Sequence, residues 1–408
     1  MTNKSHFIPL LFVMALACMA SCGGRGGKGE NDTLLNEGDS LADNYVKERW
    51  SLIPVSFDGQ SWSMIDTAGN ILLKNEFPQM PTLPYYGYFS MPDKDGLFTV
   101  YELSDTGYRA VKNLTSLYAA GYMEDDRIPI VRESGRIEIY DSRGEKKFVA
   151  LPIDSLEVTS TYSGYSDGML CFRLADGHIG FYDTEGRVAV KSIYDEVSFF
   201  SDGLAIAGIR KDSIECDYEV IDKTGQTVFK LPKGERPSLL YNKGFNNGYL
   251  IATNDSSFFL YDREGKKISF PQQISKIEEV NSKYVIFRDK YDDWGIGTLD
   301  GDIFVLPQFS FITFAGAYGP FGGTDLEKGF FACGDTESFL LNEKGEIIKE
   351  YRDRQSLPFG QFGIFSFDDN KFSLMGLDGK LKHSGKFLDL NISSLAPYDL
   401  IESLYLPE

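Results

Sequence analysis

The side chains best suited to act as acids, bases or metal ligands are dispersed along this 408-residue chain. Beyond residue 21 the chain has two histidines, His178 and His383, and neither has a partner at the spacing of a metal site. The acidic pairs at 125–126 and 292–293 could serve as acid and base, but such pairs are expected by chance among 60 acidic residues. No nucleophile elbow, phosphate loop or dinucleotide fingerprint occurs. We therefore expect no enzyme activity, no cofactor and no metal, and the ligand-binding residues stay unassigned.

The cysteines and the net charge exclude further classes of function. Of five cysteines, two lie before residue 23, and the remaining three are too far apart for a disulfide framework. Cys171 and Cys333 lie in apolar runs, so we expect them to be buried as small hydrophobic side chains. The net charge of −19 repels phosphate backbones. Nucleic acid is therefore not an expected partner.

The N-terminal residues have the pattern of an export signal. Lys4 precedes an apolar run at 7–20, which is shorter than a membrane span and has the length of a signal-peptide core. The sequence Met19-Ala20-Ser21-Cys22 follows, and small residues just before a cysteine resemble a bacterial lipobox. That resemblance implies that residues 1–21 are a lipoprotein signal peptide, removed by cleavage before Cys22, and that Cys22 is acylated.

An acylated Cys22 would determine where the protein resides. Several acyl chains, palmitate among them, hold a protein at a membrane far more firmly than one chain does. Residues 22–45 are rich in Gly, Asn, Asp and Glu without hydrophobic periodicity, which predicts a flexible tether. We expect a lipid-anchored protein of the bacterial outer membrane, with its periplasmic or surface orientation left open.

A short motif recurs through the rest of the chain, residues 46–408. It consists of an apolar strand, Asp or Asn, two residues, Gly and a second apolar strand. Full copies begin at Asp66, Asp141, Asp183, Asp222, Asp262 and Asn342, shortened copies at Asp300 and Asp378, and a degenerate copy at Ser104. The Asp side chain can bond backbone N–H groups two residues on, and the Gly can adopt the left-handed conformation that closes a hairpin. The motif therefore predicts turns rather than catalytic acids.

A second motif, which we call the corner, lies between the turns. It places an aromatic residue before Ser-Asp-Gly or Asn-Asn-Gly and a buried strand after it, at 165–170, 200–207 and 245–252. The nine turn marks are spaced by about 39 residues. One period accordingly holds three or four short strands.

Residues 165–226 resemble two tandem repeats of the WG-type β-repeat family, whose pattern joins the corner to Trp-Gly, the Asp turn and a Tyr-Asp step. The position of Trp-Gly is held here by Trp62-Ser63, Ile179-Gly180 and Ile296-Gly297, with Trp294-Gly295 displaced by two residues. The resemblance is weaker over 45–75 and 240–385, and weakest over 76–160. The family is defined by its repeat and implies no shared activity.

The period selects the architecture. About 40 residues is the length of a four-stranded propeller blade, and hairpins within each unit indicate antiparallel pairing. The aromatic content of 14% and the 41 glycines favour strands and tight turns. We predict an all-β protein, a β-propeller of about eight or nine blades from ~39-residue repeats, with an open or split β-repeat array as the alternative. Strands at 50–55 and 401–406 are expected to share the closing blade.

Three functions are compatible with this architecture. The first is a non-enzymatic, membrane-anchored binding or scaffold lipoprotein of the cell envelope, with a protein or glycan partner on one propeller face. The second is a glycan-active enzyme with two carboxylates about 5 to 10 Å apart. The third is an outer-membrane assembly factor, because the turns loosely resemble the repeats of lipoprotein propellers that help insert barrels.

Candidate ligand contacts are aromatic. The stretches 311–323 and 357–363, rich in Phe and Gly, could line a binding mouth or be ordinary corners before buried strands. The run Tyr85-Tyr86-Gly87-Tyr88 could stack on a sugar or form a strand edge. Asp-Ser/Thr-aliphatic triplets at 32–34, 39–41, 66–68, 154–156 and 212–214 resemble an O-glycosylation signal of envelope bacteria.

Overall fold

The fold consists of strands joined by turns. The computed structural model describes residues 52–390, with gaps at 85, 105–106, 118–125, 154–157, 162–164, 212–214, 239–243, 255, 272, 315–328, 335–336, 352–354, 360–362, 369–370 and 377–379. The expected leader at 1–21, the expected tether at 22–45 and Cys22 lie outside the described residues. No helix occurs within the described ranges.

The described strands form nine antiparallel sheets, which we number as blades 1 to 9 in chain order. Within each blade, consecutive strands lie side by side. Blades 1 to 3 contain β1 (Leu52–Ser56), β2 (Trp62–Asp66) and β3 (Ile71–Phe77); β4 (Tyr88–Pro92), β5 (Phe98–Ser104) and β6 (Gly107–Ser116); and β7 (Ile128–Val131), β8 (Ile137–Tyr140) and β9 (Lys146–Val149).

Blades 4 to 6 each have four strands. These are β10 (Val158–Thr161), β11 (Leu170–Leu174), β12 (Ile179–Tyr182) and β13 (Val188–Tyr194); β14 (Glu196–Val197), β15 (Leu204–Arg210), β16 (Cys216–Asp222) and β17 (Thr227–Lys230); and β18 (Arg236–Pro237), β19 (Tyr249–Thr253), β20 (Phe258–Asp262) and β21 (Lys267–Ser269).

Blades 7 to 9 complete the series. They contain β22 (Lys276–Val280), β23 (Tyr284–Arg288), β24 (Trp294–Thr298) and β25 (Ile303–Phe309); β26 (Phe311–Phe314), β27 (Phe330–Cys333), β28 (Ser338–Leu341) and β29 (Ile347–Tyr351); and β30 (Gln355–Phe359), β31 (Gly363–Asp368) and β32 (Lys371–Met375). A final strand, β33 (Asp389–Leu390), returns to blade 1.

Apolar clusters join each blade to the next. Central strands such as β12 are buried along their whole length, because both faces of a blade are covered by its neighbours. Clusters shared by successive blades contain Met64 with Phe89, Val100 with Ile130, Ile139 with Phe172, Phe181 with Phe200, Ile206 with Phe245, Leu260 with Ile277, Ile286 with Ile312, Phe331 with Met375, and Leu374 with Ile53. The last pair links blade 9 to blade 1, so the blades form a closed ring.

The first and last of the described strands close the ring by pairing in one sheet. Val55 pairs with Leu390 and Ser56 with Asp389, so β33 extends blade 1. The prediction that terminal strands share a blade is confirmed for β1, whereas the C-terminal partner is Asp389–Leu390 rather than 401–406, which lie outside the described residues. The predicted β-propeller is therefore confirmed with nine blades among the described residues, and the open array is not what the chain forms.

The acid-to-glycine motif forms the turn between the last two strands of a blade, as predicted. In blade 4 the Asp183 carboxylate accepts hydrogen bonds from the backbone N–H groups of Glu185 and Arg187, both at 2.9 Å. Asp66, Asp141, Asp222, Asp262 and Asn342 make the same pair of bonds to the residues two and four positions later. The Asp side chain thus satisfies backbone donors that the hairpin leaves unpaired.

In five of the turns, at Gly69, Gly144, Gly186, Gly265 and Gly345, the glycine lies so close to the preceding blade that a Cβ would not fit. Gly186 has φ +78°, and a Cβ there would lie 2.6 Å from the Phe148 ring of blade 3. A Cβ on Gly265 would lie 2.7 Å from Phe229 of blade 5, and one on Gly345 would overlap Val305 of blade 7. Gly69 of blade 1 contacts Lys382, beyond blade 9, in the same way. The motif therefore both closes a hairpin and joins two blades.

The Trp-Gly register predicted for blade 7 is wrong by two residues. Trp62, Ile179 and Trp294 occupy equivalent positions, because each pairs with a residue fifteen positions later. A Cβ on Gly180 or on Gly295 would lie within 2.9 Å of a Phe ring and of a backbone oxygen, whereas Gly297 has more space. Trp294-Gly295 is therefore the pair in register.

The cause of the error is the shortened turn. The first position of the turn in blade 7 is occupied by Thr298 and not by Asp300. The Thr298 N–H donates to the Asp302 carbonyl, and the Thr298 carbonyl accepts a bond from the Gly301 N–H. In blade 9 the first position of the turn is occupied by Gly376, whose N–H donates to the Lys380 carbonyl. The turn position predicted at Asp378 was therefore also two residues too far along the chain. The backbone of these turns closes without an Asp side chain. The Asp in the sequence therefore indicated the wrong residue, although the geometry of the turn is unchanged.

The contact between a turn glycine and the preceding blade can be measured with Gly186→Ala. Gly177 is the matched control, because it has φ +90° and a Cβ added there would meet no atom within 4 Å. We expect Gly177→Ala to lower the free energy of unfolding by about 1 kcal/mol through backbone strain alone. Gly186→Ala should lose about 2 to 4 kcal/mol because overpacking against Phe148 adds to that strain. Equal losses in urea unfolding would contradict the inter-blade contact.

Candidate functional site on the turn face

Two kinds of turn lie on the same side of the ring, which we call the turn face. Strand β11 leaves the corner at 166–169, and β12 returns to the Asp turn at 183–186. The turn at 174–177 lies between these strands on the opposite side. Because antiparallel strands reverse direction, each blade presents its corner and its Asp turn together.

The corners are tight hairpins of type I′. Ser166 and Met169 exchange backbone hydrogen bonds in both directions, and Asp167 and Gly168 have φ values of +53° and +75°. Asp and Asn tolerate this left-handed conformation better than other residues with side chains. The predicted corners at 165–170, 200–207 and 245–252 are therefore confirmed as turns that feed a buried strand.

Hydrogen bonds connect successive corners around the ring. Ser166 Oγ donates to the Phe200 carbonyl at 2.8 Å, and Ser201 Oγ donates to the Phe245 carbonyl at 2.7 Å. The backbone N–H groups of two corner glycines donate to the Asp of the preceding corner, from Gly203 to Asp167 and from Gly248 to Asp202. Between blades 6 and 7, the side chain of Asn247 donates to the Val280 carbonyl at 3.0 Å. The corners therefore hold one another in fixed relative positions.

The corners of blades 3, 4 and 7 also contact the Asp turn of the following blade. Lys223, one residue after Asp222, donates to Asp167 at 2.7 Å. Arg127, at the corner of blade 3, donates to the Thr184 carbonyl at 2.8 Å. The Tyr284 hydroxyl in blade 7 donates to the Glu343 carbonyl at 3.3 Å. The turn face is thus assembled from corners and turns of neighbouring blades.

A cleft of about 650 Å³ lies on the turn face between blades 4 and 5. Asp167, Asp183, Lys223 and Thr224 are among its lining residues. Burial alone would raise the pKa of Asp183, but hydrogen bonds from its own turn and from Arg187 lower it. Asp183 is therefore suited to hold the turn and poorly suited to donate a proton.

A smaller cleft of about 340 Å³ lies at the corner of blade 2, the turn at 86–87 that precedes β4. Its lining residues are Tyr86, Tyr88, Glu102 and Leu103. The Tyr88 hydroxyl is 3.5 Å from Glu102 Oε1, and Arg109 binds the other oxygen of that carboxylate. Burial raises the pKa of the Tyr88 phenol, and the charge of Glu102 raises it further. Two of the three tyrosines singled out from the sequence therefore line a cavity, and Tyr85 lies outside the described residues.

Glu279 is a titratable residue that the sequence did not single out. It lies in β22, the first strand of blade 7, and accepts a hydrogen bond of 2.8 Å from Thr313 Oγ1 of blade 8. Burial raises the pKa of this carboxyl to about 7, although bonds from Thr313 and from the Phe314 backbone oppose the shift. No spacing in the sequence reveals such a group, because its burial depends on the neighbouring blade.

His178, His383 and Asp292 each contact a different partner, and Asp125 of the other acidic pair lies outside the described residues. His178 pairs with Asp176 at 3.0 Å beside the turn opposite the turn face. His383 lies 3.0 Å from the Gly69 carbonyl and stacks on Phe387. Asp292 pairs with Arg288 at an exposed turn. Within the ranges described, three or more His, Cys, Asp or Glu side chains nowhere gather in a way that could hold a metal.

The cysteine expectations are met in part. Cys171 is buried, Cys333 is half-buried rather than buried, and Cys216 is half-buried. None of these three cysteines forms a disulfide with another described residue. Helices long and apolar enough to cross a membrane are absent from the described ranges.

The two Phe- and Gly-rich stretches are described only in part. Phe311–Phe314 is strand β26 and Gln355–Phe359 is strand β30. The rest of the first stretch, 315–323, and residues 360–362 of the second lie outside the described residues. What these segments contribute to a binding mouth stays a prediction.

Comparison with known proteins supports the repeat and the fold. The model of the WG containing repeat matches residues 179–212, within the region where the resemblance is strongest, so this segment is similar to a WG repeat. A search of curated proteins finds no match to this sequence.

Solved structures match the chain at low sequence identity. A eukaryotic initiation factor has a TM-score of 0.54 and 11% identity, and the alignment covers 84% of this chain and 97% of that chain. BamB from Moraxella catarrhalis has a TM-score of 0.38 and 14% identity, with 74% and 92% covered. Apo AztD from Citrobacter koseri has a TM-score of 0.38 and 11% identity, with 83% and 96% covered.

The raised pKa of Glu279 predicts a pH-dependent stability. The folded state holds this proton up to a pH of about 7, whereas an unfolded carboxyl loses it near 4.5, so stability falls as the pH rises through this window. We expect Glu279→Gln to be more stable than the wild type at pH 8 by about 1 to 3 kcal/mol, and not at pH 4.5.

Glu278→Gln is the matched control, because Glu278 is the adjacent residue and bonds Arg288 and Lys276. It should show no gain at pH 8. Urea unfolding of the three proteins at both pH values measures the difference. A Glu279→Gln variant that gains nothing at pH 8 would contradict the burial of a protonated carboxyl.

Proposed function

We propose that this protein is a non-enzymatic binding scaffold, held at the bacterial outer membrane by acyl chains on Cys22. On the turn face, corners and Asp turns of neighbouring blades are joined by hydrogen bonds. The tether at 22–45 would let the ring stand away from the membrane. Its net charge of −19 favours partners other than nucleic acid.

The observation that carries this proposal is the hydrogen-bonded series of corners. Ser166, Ser201 and Asn247 each bond the corner of the following blade. Loops fixed in this way lose little conformational entropy when a partner binds. A preformed, polar face with two clefts is suited to recognition.

A glycan-active enzyme needs two carboxylates that face one another, one of them able to donate a proton. Asp167 and Asp183 line one cleft, but Asp167 is bonded to Lys223 and Gly203, and Asp183 has a lowered pKa. Both carboxylates are committed to holding turns. This arrangement favours binding over hydrolysis.

Anchoring through Cys22 can be tested by metabolic labelling with an alkyne analogue of palmitate. We expect the full chain to incorporate the label and Cys22→Ala to lose it, because the thiol is the acyl acceptor. Cys18→Ala is the matched control, since Cys18 lies in the same leader, and it should keep the label. Label retained by Cys22→Ala would overturn the anchor.

The use of the turn face can be tested with a photo-crosslinking amino acid in intact cells. At Thr224, an exposed residue on the turn face, the probe should capture a specific envelope partner. At Ala175, exposed on the opposite side of the neighbouring blade 4, it should not. Equal capture at both positions, or capture only at Ala175, would assign the partner to another surface.

A further inference from the structure

The corner of blade 2 departs from the repeat at one residue. Tyr86 has φ +50° and Gly87 has φ +78°, the same conformation as the corners of blades 4 to 6. Those corners use Asp167, Asp202 or Asn247 at the position of Tyr86. A bulky residue in the left-handed region is strained, and such strain is characteristic of functional positions. Turn formation therefore does not explain why a tyrosine stands here.

The tyrosine ring is presented to solvent beside a cavity. Tyr86 is 42% exposed, whereas Leu103, which lines the same cleft, is 2% exposed and fixed by a bond from its N–H to the Gly87 carbonyl. The cleft of about 340 Å³ falls within the size range of small-ligand sites. It combines an apolar base, an aromatic side and polar groups, as such sites do.

The polar groups of the cleft carry balanced charges. Glu102 accepts two hydrogen bonds from Arg109, at 2.8 Å from Nε and 2.5 Å from Nη2. Glu102 Oε1 faces the Tyr88 hydroxyl. An isolated carboxylate among tyrosines would suit a quaternary ammonium ion, but the guanidinium next to it offsets that attraction. Acceptors and donors that lie side by side suit hydroxyl groups.

We propose that this cleft binds a neutral saccharide, with a sugar ring against Tyr86 and its hydroxyls bonded to Glu102 and Tyr88. The flat ring supplies apolar contact, while the carboxylate and phenol fix the orientation of the hydroxyls. This inference rests on the proposed function, because it names the ligand class of a binding scaffold. It adds a site and a chemistry that the anchor and the ring do not require.

The experiment measures binding of the full, detergent-solubilised chain on a glycan array, followed by calorimetry with the best oligosaccharide. We expect at least one neutral glycan to bind and Tyr86→Asn to weaken it by about tenfold or more, as expected for loss of an aromatic contact. Asn suits the left-handed conformation, so this variant should keep the turn and raise the midpoint of thermal unfolding. Tyr86→Trp should retain binding.

Tyr291→Ala is the matched control, because Tyr291 is 72% exposed at a turn far along the chain in blade 7, and binding should be unchanged. Tetramethylammonium chloride and inorganic phosphate serve as the cation and anion probes. Binding of either probe without any neutral glycan, or a Tyr86→Asn variant that binds as the wild type does, would overturn the inference. The scaffold proposal fails separately, if the probe at Thr224 captures no partner.

Discussion

The structure depends on the contact that Asp turns make with the blade before them. At Gly186 on Phe148 and at Gly265 on Phe229, the turn fits against the preceding outer strand only while the glycine has no side chain. The aspartate of the same turn satisfies the backbone donors that the bend exposes. One four-residue motif therefore forms the hairpin and sets the distance between blades.

Repeated around the molecule, this contact leads to closure and to a rigid face. Gly69 lies on Lys382 as the other turn glycines lie on their neighbours, so blade 1 follows blade 9 in the ring. The pairing of β1 with β33 secures this junction in the sheet. Closure also covers the apolar faces of blades 1 and 9 that an open array would leave in contact with water. The corners, brought together on one side, become a surface whose residues can vary without loss of the fold, as Tyr86 does.

Much of this architecture could be predicted from the sequence, because its determinants are local. The Asp-to-Gly spacing and the Ser-Asp-Gly corners specify turns whose conformation depends on the residues within them, and their period specified the blade. Blades 2 and 3 formed where the repeat was weakest, at 76–160, because apolar strands at the right spacing suffice. The register at Thr298 could not be predicted, since a backbone turn closed there without its usual side chain.

The candidate sites were less predictable, for physical reasons. Tyr86 stood out by type, but its significance lies in a strained φ and an adjoining cleft, which depend on the fold. Glu279 acquires its raised pKa from burial against blade 8, to which the sequence gives no local signal. The role expected for Cys22 differs, because it is inferred from the local sequence alone. Cys22 lies outside the described part of the chain.

Closure of the ring is tested most directly by a disulfide between its two ends. Val55 and Leu390 are partners in the register of β1 and β33, so their backbones lie at the separation that a disulfide can span. In the double variant Val55→Cys and Leu390→Cys, mass spectrometry of the oxidised monomer should identify a peptide pair cross-linked through these two positions. An oxidised monomer without this cross-link, or cross-links only between molecules, would contradict a closed propeller.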